Sequence, residues 1–190
     1  MSADYSLFVL IGPGGVGKGT IARELVERDP QLWLSRSWTS RPPRTIETGK
    51  EYYFVSRDEF EAAIAAGEFF EWAEFLNNLY GTPKPVPPKG TDVLLEIEVQ
   101  GALQVKTAHP EATVILLLPP SLEELELRLR GRGDSEEHVN SRLTSSAGET
   151  ALGYDIASHV IVNDDLEASI SQIQAIIEGL RRDRRRPAKG

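Results

Sequence analysis

The sequence of 190 residues contains no cysteine. Disulfides, thiol nucleophiles, cysteine-ligated zinc and iron–sulfur clusters are therefore excluded. The three histidines, His109, His138 and His159, are too widely spaced to predict a histidine-built metal site. Long apolar runs are missing as well, because the longest, residues 114–118, is too short to span a bilayer. No basic segment precedes the first apolar stretch, as it would in a secretory signal, so we expect a cytoplasmic protein.

Basic residues are fewer than acidic ones, 21 against 29, and the formal net charge is -8. Sequence-independent binding of nucleic acid needs a broad basic face, so we expect neither a nucleic-acid nor a membrane partner. A phosphorylated small substrate is compatible with this balance if cations are concentrated locally. Six arginines meet that condition in two groups. The first group is Arg41 and Arg44, and the second is Arg128, Arg130, Arg132 and Arg142.

Short apolar segments alternate with helical patterns along the chain. Residues 7–11, 92–97 and 113–118 predict buried strands, and residues 160–162 predict a last short strand. Ser56 and Ser121 are each followed three residues later by glutamate, which predicts capped helix starts, the second with Leu122, Leu125 and Leu129 facing inward. The alternation predicts one α/β domain with a mainly parallel sheet.

Three further features concern the ends and links of elements. Residues 80–90 contain four prolines and are expected to form an extended or turn-rich link. The arginine-rich residues 181–190 are expected to fray. Asp134 with Glu137 is expected to cap the helix that carries Arg142.

A glycine-rich loop, GPGGVGKGT, lies between the first predicted strand and the first predicted helix. It fits the pattern G-x-x-x-x-G-K, with the final hydroxyl residue displaced by one position. Glycines let backbone N–H groups converge on phosphate oxygens, and the lysine reaches the β- and γ-phosphates. The loop predicts a nucleotide phosphate site, although a tight turn that binds nothing is the alternative. Its members are Gly12, Pro13, Gly14, Gly15, Val16, Gly17, Lys18, Gly19 and Thr20.

Seven further segments, in order, resemble the guanylate kinase family. They are SWTSRPPR (37–44), YYFVS (52–56), GEFFEWAE (67–74), YGT (80–82), LEIEVQG (95–101), LRGRG (129–133) and VIVNDDL (160–166). Three departures accompany them: Gly19 stands where the family usually has serine, Glu96 and Glu98 replace aspartates, and the stretch from Arg44 to Tyr52 is one residue short. The resemblance implies a P-loop NTPase-type parallel sheet flanked by helices, all within one domain of residues 1–190. It divides that domain into a core (about 1–36, 90–124 and 150–190), an inserted GMP-binding lobe (about 37–89) and a helical lid (about 125–149).

The resemblance also implies a GMP site. Arg41, Arg44, Tyr52 and Tyr80 would hold the phosphate, since an arginine fork binds two phosphate oxygens at once. Glu71 would select guanine, because a carboxylate accepts from both N1–H and the exocyclic amine, and adenine lacks this donor pair. Glu98 would assist on the same edge, with Ser37 and Thr82 donating to O6. The alternative for Arg41 and Arg44 is a solvated surface pair. For Glu71 it is a carboxylate at a helix end, and for Ser37 and Thr82 it is hydroxyls in a turn and a strand.

The remaining implied residues serve ATP. Asn163 would meet the adenine ring, unless it only closes a strand-end turn. Glu96, with Thr20, would hold Mg²⁺ through water, unless Glu96 only pairs with Lys18 or an arginine. The residues that would act on the transferring phosphoryl group are Lys18, Arg41, Arg132 and Arg142. Arg128 and Arg130 could instead be part of a solvated stripe.

The implied reaction is ATP + GMP to ADP + GDP, with dGMP as a further acceptor. One alternative is a P-loop kinase for another phosphorylated acceptor. A second is a non-catalytic guanylate-kinase-like module that binds phosphopeptides. Monomer and homodimer are both compatible with the sequence. We expect the lobe and the lid to close on the core when both nucleotides bind, with hinges near residues 80–90 and near Gly131 and Gly133.

Overall fold

The structure, a computed structural model, describes residues 5–43, 49, 52–133 and 135–185. Its strands are β1 (Leu7–Ile11), β2 (Leu32–Ser35), β3 (Trp38–Thr39), β4 (Tyr53–Phe54), β5 (Phe69–Phe75), β6 (Asn78–Pro83), β7 (Asp92–Glu96), β8 (Thr113–Leu118) and β9 (His159–Val162). Its helices are α1 (Lys18–Arg28), α2 (Arg57–Ala65), α3 (Val99–Ala108), α4 (Leu122–Gly131), α5 (Glu136–Ile156) and α6 (Leu166–Arg185). Arg44 and Asp134, both named above, lie outside the described residues.

Five strands form a parallel sheet in the order β2-β7-β1-β8-β9. β1 lies in the middle, and all of its residues are buried. Because side chains alternate along a strand, Phe8 and Leu10 pack toward α1 and α6, whereas Val9 and Ile11 pack toward α3. The prediction of a mainly parallel sheet between helical layers is therefore confirmed.

The predicted strands differ from the observed ones in detail. β7 ends at Glu96 rather than at residue 97, and β9 begins at His159 rather than at residue 160. β2 was not predicted, because it is an edge strand of only four residues with no long apolar run.

Among the residues that the structure describes, no helix is both long and apolar enough to cross a membrane.

A second sheet is formed within residues 38–83, in the order β4-β3-β6-β5. β6 pairs antiparallel with β3 and β5, and β3 pairs parallel with β4. Phe60 of α2 stacks on Phe69 of β5 with ring centroids 4.4 Å apart, which anchors the helix on this sheet. The expected link of residues 80–90 is wrong in its first part, because residues 80–83 belong to β6.

The helix starts follow the capping signals in the sequence. Ser56 and Glu59 form both halves of a capping box, and the Ser121 hydroxyl accepts from the backbone N–H of Glu124. On α5 the cap is Ser135, whose hydroxyl accepts from the N–H of His138, so the expected cap at Asp134 is wrong.

The prediction that Leu122 faces inward is wrong, because 59% of this residue is exposed. It is the first residue of α4 and lies beyond the small cluster that Leu125 and Leu129 form with Val139.

The prediction that residues 181–190 fray is wrong for residues 181–185, because α6 continues to Arg185, and residues 186–190 lie outside the described part of the chain. Arg181 is buried, and its guanidinium donates to Asp92 Oδ2 at 2.7 Å and to Asp29 Oδ2 at 2.6 Å. A buried cation requires such partners. Two carboxylates therefore hold the end of α6 against β7 and α1.

Candidate active site

The glycine-rich loop joins the carboxyl end of β1 to α1 in the centre of the parallel sheet. Gly12, Gly15 and Gly17 have φ angles of 146°, 99° and 108°. A Cβ atom on Gly12 would lie 2.2 Å from the carbonyl oxygen of Leu117. Glycine is therefore required here both by backbone conformation and by the close approach of β8.

Lys18 is only 6% exposed, although it carries a charge. Its Nζ donates to the carbonyl oxygen of Gly12 at 2.5 Å and lies 3.8 Å from Glu98 Oε2. Glu98 Oε1 lies 3.8 Å from Arg142 Nη1, so this carboxylate stands between the loop lysine and the arginine of α5. Glu98 Oε2 and Arg142 Nη1 are buried without a hydrogen-bond partner among the described residues. A ligand with several anionic oxygens would satisfy these cations better than the single carboxylate does.

Arg142 lies over the loop, although it belongs to α5. A Cβ atom on Gly14 would meet its Nη1 at 2.6 Å, and its guanidinium carbon lies 4.6 Å from the ring centroid of Phe75. Arg142 and Arg132 line a cavity next to the loop. Its other lining residues are Gly14, Gly15, Gly17, Lys18, Gly19, Tyr52, Glu96, Glu98 and Leu129. We refer to it as the phosphate cavity.

Arg128 and Arg130 make contacts of a different kind. Arg128 donates to Glu124 and to the carbonyl oxygen of Asn163, and Arg130 pairs with Glu126 and Glu136. These contacts support the interpretation of both arginines as part of a structural, partly solvated stripe.

A second cavity lies between β5, β6 and the start of α3. We call it the guanine cavity, after the base that the sequence predicts for it. Its lining residues are Ser37, Tyr52, Glu71, Ala73, Tyr80, Gly81, Glu96, Ile97, Glu98 and Gly101. Tyr52, Glu96 and Glu98 also line the phosphate cavity, so the two cavities are contiguous.

Glu71 lies on β5 and is only 4% exposed. Burial raises the pKa of this carboxyl to about 7, although hydrogen bonds from the Thr82 side chain and backbone oppose the shift. The Thr82 hydroxyl lies 3.2 Å from that of Ser37. Ser37, Thr82 and Glu71 thus form one buried hydrogen-bonded row, as a site that reads the edge of a base requires.

Two of the residues predicted for the GMP phosphate, Tyr52 and Tyr80, line this cavity. The rings of Tyr52 and Tyr80 are 6.2 Å apart, and the Arg41 guanidinium carbon is 5.8 Å from the centroid of Tyr52. The negative charge of Glu96, then burial and Glu98, raise the pKa of Tyr52 well above its ordinary value. Tyr52 is therefore a neutral phenol that can donate a hydrogen bond.

Glu96 ends β7, close to the start of α1. Its Oε2 would lie 3.9 Å from a Cβ atom on Gly19. Burial raises its pKa, while Lys18 and Arg132 lower it. Within the described part of the chain, no group of three or more acidic or histidine residues could hold a metal by itself. One carboxylate beside the loop, with Thr20 next in sequence to Gly19, suits Mg²⁺, which keeps several waters and binds substrate phosphates.

Asn163 lies beneath the loop, with both ends of its amide in use. Its Nδ2 donates to the carbonyl oxygen of Val16 at 2.8 Å, and its Oδ1 accepts from the Ser169 hydroxyl at 3.0 Å. A Cβ atom on Gly17 would lie 2.7 Å from the same Nδ2. This side chain therefore ties the loop to α6.

Two residues near the site were not predicted from the sequence. Glu149 on α5 is 8% exposed, neither carboxylate oxygen has a hydrogen-bond partner among the described residues, and burial, followed by the charge of Glu98, raises its pKa. Its spacing of seven from Arg142 places both on one helix face, a signal that the sequence contained. Gly101 lines the guanine cavity, and although it ends the motif LEIEVQG (95–101), no role of its own was predicted for it from the sequence.

Comparison with known proteins gives a consistent result. A family model described as Guanylate kinase matches residues 5–180. The guanylate kinase of Thermosynechococcus vestitus is 51% identical over 179 residues, covering 90% of this chain and 92% of that protein. The guanylate kinase of Thermus thermophilus is 50% identical over 182 residues, covering 93% and 82% respectively. The crystal structure of guanylate kinase from Anaplasma phagocytophilum aligns with a TM-score of 0.76 at 33% identity, covering 92% of this chain and 85% of that one.

Proposed function

The chain belongs to the guanylate kinase family, and on this premise we propose how its residues transfer a phosphoryl group from ATP to GMP. The protein is an enzyme that phosphorylates GMP at the expense of ATP. The observation that carries the residue assignment is the contact between two cavities of different chemistry. One is lined by the glycine-rich loop, Lys18 and Arg142, and the other is lined by the buried Glu71 and by Ser37.

We assign the guanine base to the row of Glu71, Thr82 and Ser37. An ionised Glu71 accepts from the N1–H and the amine of guanine, and the hydroxyls donate to O6. Adenine presents no such donor pair, so AMP would leave the buried carboxylate with only its Thr82 hydrogen bonds, which is costly. Glu98 assists on the same edge. The contiguity of the two cavities through Glu98 supports this assignment.

We assign the GMP phosphate to Arg41, Tyr52 and Tyr80, together with Arg44 from outside the described residues. The proximity of Arg41 to the Tyr52 ring supports this grouping. dGMP would be a further acceptor, because no role is assigned to the ribose 2′-hydroxyl.

ATP is assigned to the glycine-rich loop, residues 12–20. The backbone N–H groups at the start of α1 and the side chain of Lys18 would hold its phosphates. Asn163 serves this site through the loop, whose carbonyl at Val16 it binds. An additional contact of Asn163 with adenine stays a prediction.

The nucleophile is a phosphate oxygen of GMP, which is already ionised near neutral pH, so no general base is needed. It attacks the γ-phosphorus of ATP, and ADP leaves. Lys18, Arg132 and Arg142 stabilise the charge on the transferring group, and Arg41 holds the acceptor in line. Mg²⁺, held through water by Glu96 and Thr20, would neutralise the phosphate oxygens when bound.

The division into core, lobe and lid belongs to the same proposal. Closing the lid over the phosphates would exclude water, which would otherwise accept the phosphoryl group. The hinges near residues 80–90, Gly131 and Gly133, the cytoplasmic location and the lack of nucleic-acid or membrane partners stay predictions.

A coupled assay of ADP release tests the assignment, with GMP, AMP, UMP and CMP as acceptors at equal concentration. We expect GMP to be strongly preferred. Preference for AMP would contradict the role of Glu71, and preference for an unrelated phosphorylated acceptor would favour the other P-loop kinases considered above. Binding of a phosphopeptide without turnover would favour the non-catalytic module.

A further inference from the structure

Helix α3 approaches the guanine cavity at its third residue, Gly101. A methyl group placed on Gly101 would lie 2.1 Å from Glu71 Oε2 and 2.8 Å from Glu71 Cδ. Two such atoms need more than 3 Å, so the carboxylate occupies the space that any other residue at this position would fill. The absence of a side chain at residue 101 is thus a condition for the present position of Glu71.

The same helix holds the strand on which Glu71 lies. β5 is an edge strand of its sheet, so one side of its backbone has no neighbouring strand. Gln104, one turn after Gly101, donates to the carbonyl oxygen of Trp72 at 2.6 Å and accepts from its N–H at 3.4 Å. The backbone next to Glu71 is therefore fixed relative to α3.

On the opposite side, Thr82 donates to the Glu71 carboxylate. Glu71 is 4% exposed, so its carboxylate cannot turn into solvent without leaving the row it forms with Thr82 and Ser37. A displacement of about 1 Å would weaken these hydrogen bonds. It would also misplace the acceptor that is assigned to guanine.

We propose that Gly101 is a specificity-determining residue for GMP, because the space left by its missing side chain sets the position of the Glu71 carboxylate. Gly101 itself touches no reacting atom and acts through Glu71. The inference rests on the proposed role of Glu71 as the guanine selector.

The test is the variant Gly101→Ala, with Gly179→Ala as the matched control. Gly179 lies in α6, and the nearest atom to an added methyl there is Arg182 Nη2 at 3.9 Å. Each change replaces a helical glycine by alanine, which by itself favours the helix. We expect Gly101→Ala to raise the KM for GMP at least about tenfold, the effect of one impaired buried hydrogen bond. The KM for ATP and the melting temperature should change little, and the preference for GMP over AMP should fall.

A double-mutant cycle with Glu71→Ala separates the possible outcomes. If Glu71→Ala leaves the KM for GMP unchanged, the proposed role of Glu71 is wrong. If Glu71→Ala impairs GMP use but Gly101→Ala does not, the inference about Gly101 is wrong. The inference is supported if Gly101→Ala adds little to Glu71→Ala, since neighbouring residues that act as one unit are not additive.

The cycle also decides the case in which Gly101→Ala alone fails to fold. Alanine at residue 71 removes the atoms nearest to the added methyl, so Glu71→Ala and the double variant should then fold alike and bind GMP equally in calorimetry. If the double variant bound GMP tenfold more weakly than Glu71→Ala does, the inference would be overturned.

Discussion

The phosphate cavity and the guanine cavity share Tyr52, Glu96 and Glu98, but different forces shape them. In the phosphate cavity, backbone geometry dominates: glycines at positive φ shape the loop, and the Glu98 carboxylate lies 3.8 Å from Lys18 and from Arg142, too far for a hydrogen bond to either. In the guanine cavity, the side chains of β5 and β6 and of Ser37, just before β3, hydrogen-bond directly to one another.

The difference corresponds to what each cavity is proposed to bind. Phosphate is a symmetric anion, so loosely paired cations can move to meet it, and charge matters more than direction. The edge of a base is directional, so its acceptors and donors must be fixed before it arrives. Four variants or conditions test this contrast, in order of decreasing expected effect.

Lys18→Ala tests the cationic cavity. We expect kcat to fall about 100- to 1000-fold, the usual cost of removing a group that stabilises transition-state charge. The melting temperature should stay near that of the parent, because the charged end of Lys18 faces the cavity. Lys89→Ala, at an exposed lysine, is the control. Near-normal turnover of folded Lys18→Ala would remove the loop from the mechanism.

Glu71→Gln tests the directional cavity. The amide keeps the shape of the side chain but presents a donor where guanine also has one. We expect kcat/KM for GMP to fall about 100-fold through KM, because a buried mismatch costs about 1–3 kcal/mol. Calorimetry should show ATP binding unchanged, in contrast to the Lys18 variant. An equal loss of ATP and GMP affinity would mean that the two cavities are not separate in function.

The pH dependence of the KM for GMP gives a third test. Burial raises the pKa of Glu71 to about 7, and only the ionised carboxylate accepts both guanine donors. Affinity for GMP should therefore increase about tenfold between about pH 6 and about pH 8. The phosphate of GMP also titrates near pH 6. In the Glu71→Gln variant the GMP phosphate still titrates, but the Glu71 carboxyl is absent. Subtracting the pH profile of the variant's KM from that of the parent therefore isolates the titration of the carboxyl.

The same raised pKa affects folding, with a definite sign. Protonated Glu71 is favoured in the folded state, so this contribution to stability is present at low pH and is lost as pH rises through about 7. Urea titrations of the parent and of Glu71→Gln should therefore diverge as pH rises across this range. Parallel stability profiles would contradict the buried position of the carboxyl.

Asn163→Ala tests whether the loop is held from below. Loss of the bond to the Val16 carbonyl should raise the KM for ATP several-fold, about 1 kcal/mol, and leave the KM for GMP almost unchanged. Ser169→Ala removes the partner of the Asn163 oxygen and should produce a smaller change in the same direction. If Ser169→Ala has no effect while Asn163→Ala has a large one, a direct contact with adenine is favoured.

Secondary structure was predictable where local signals were strong. The central strands have unbroken apolar runs, and the serine–glutamate pairs at Ser56 and Ser121 mark true helix starts. The small sheet was not predicted strand by strand, because β3 and β4 have only two residues each, β5 is half-exposed, and β3 depends on pairing with the distant β6. The end of α6 was mistaken for a frayed tail, because the carboxylates that hold Arg181 are 89 and 152 residues away in sequence.

For the site, the sequence alone determined the glycine-rich loop, its lysine and the order of the family motifs, because each is a contiguous pattern whose chemistry depends on local spacing. The tertiary structure decided three further points. It placed Glu98 between Lys18 and Arg142, used both ends of the Asn163 amide for support of the loop, and brought Gly101 against Glu71. Apart from the Asn163–Ser169 hydrogen bond, these contacts join residues that are 30 or more positions apart, so their distances arise only when the strands, the lobe and the helices pack together.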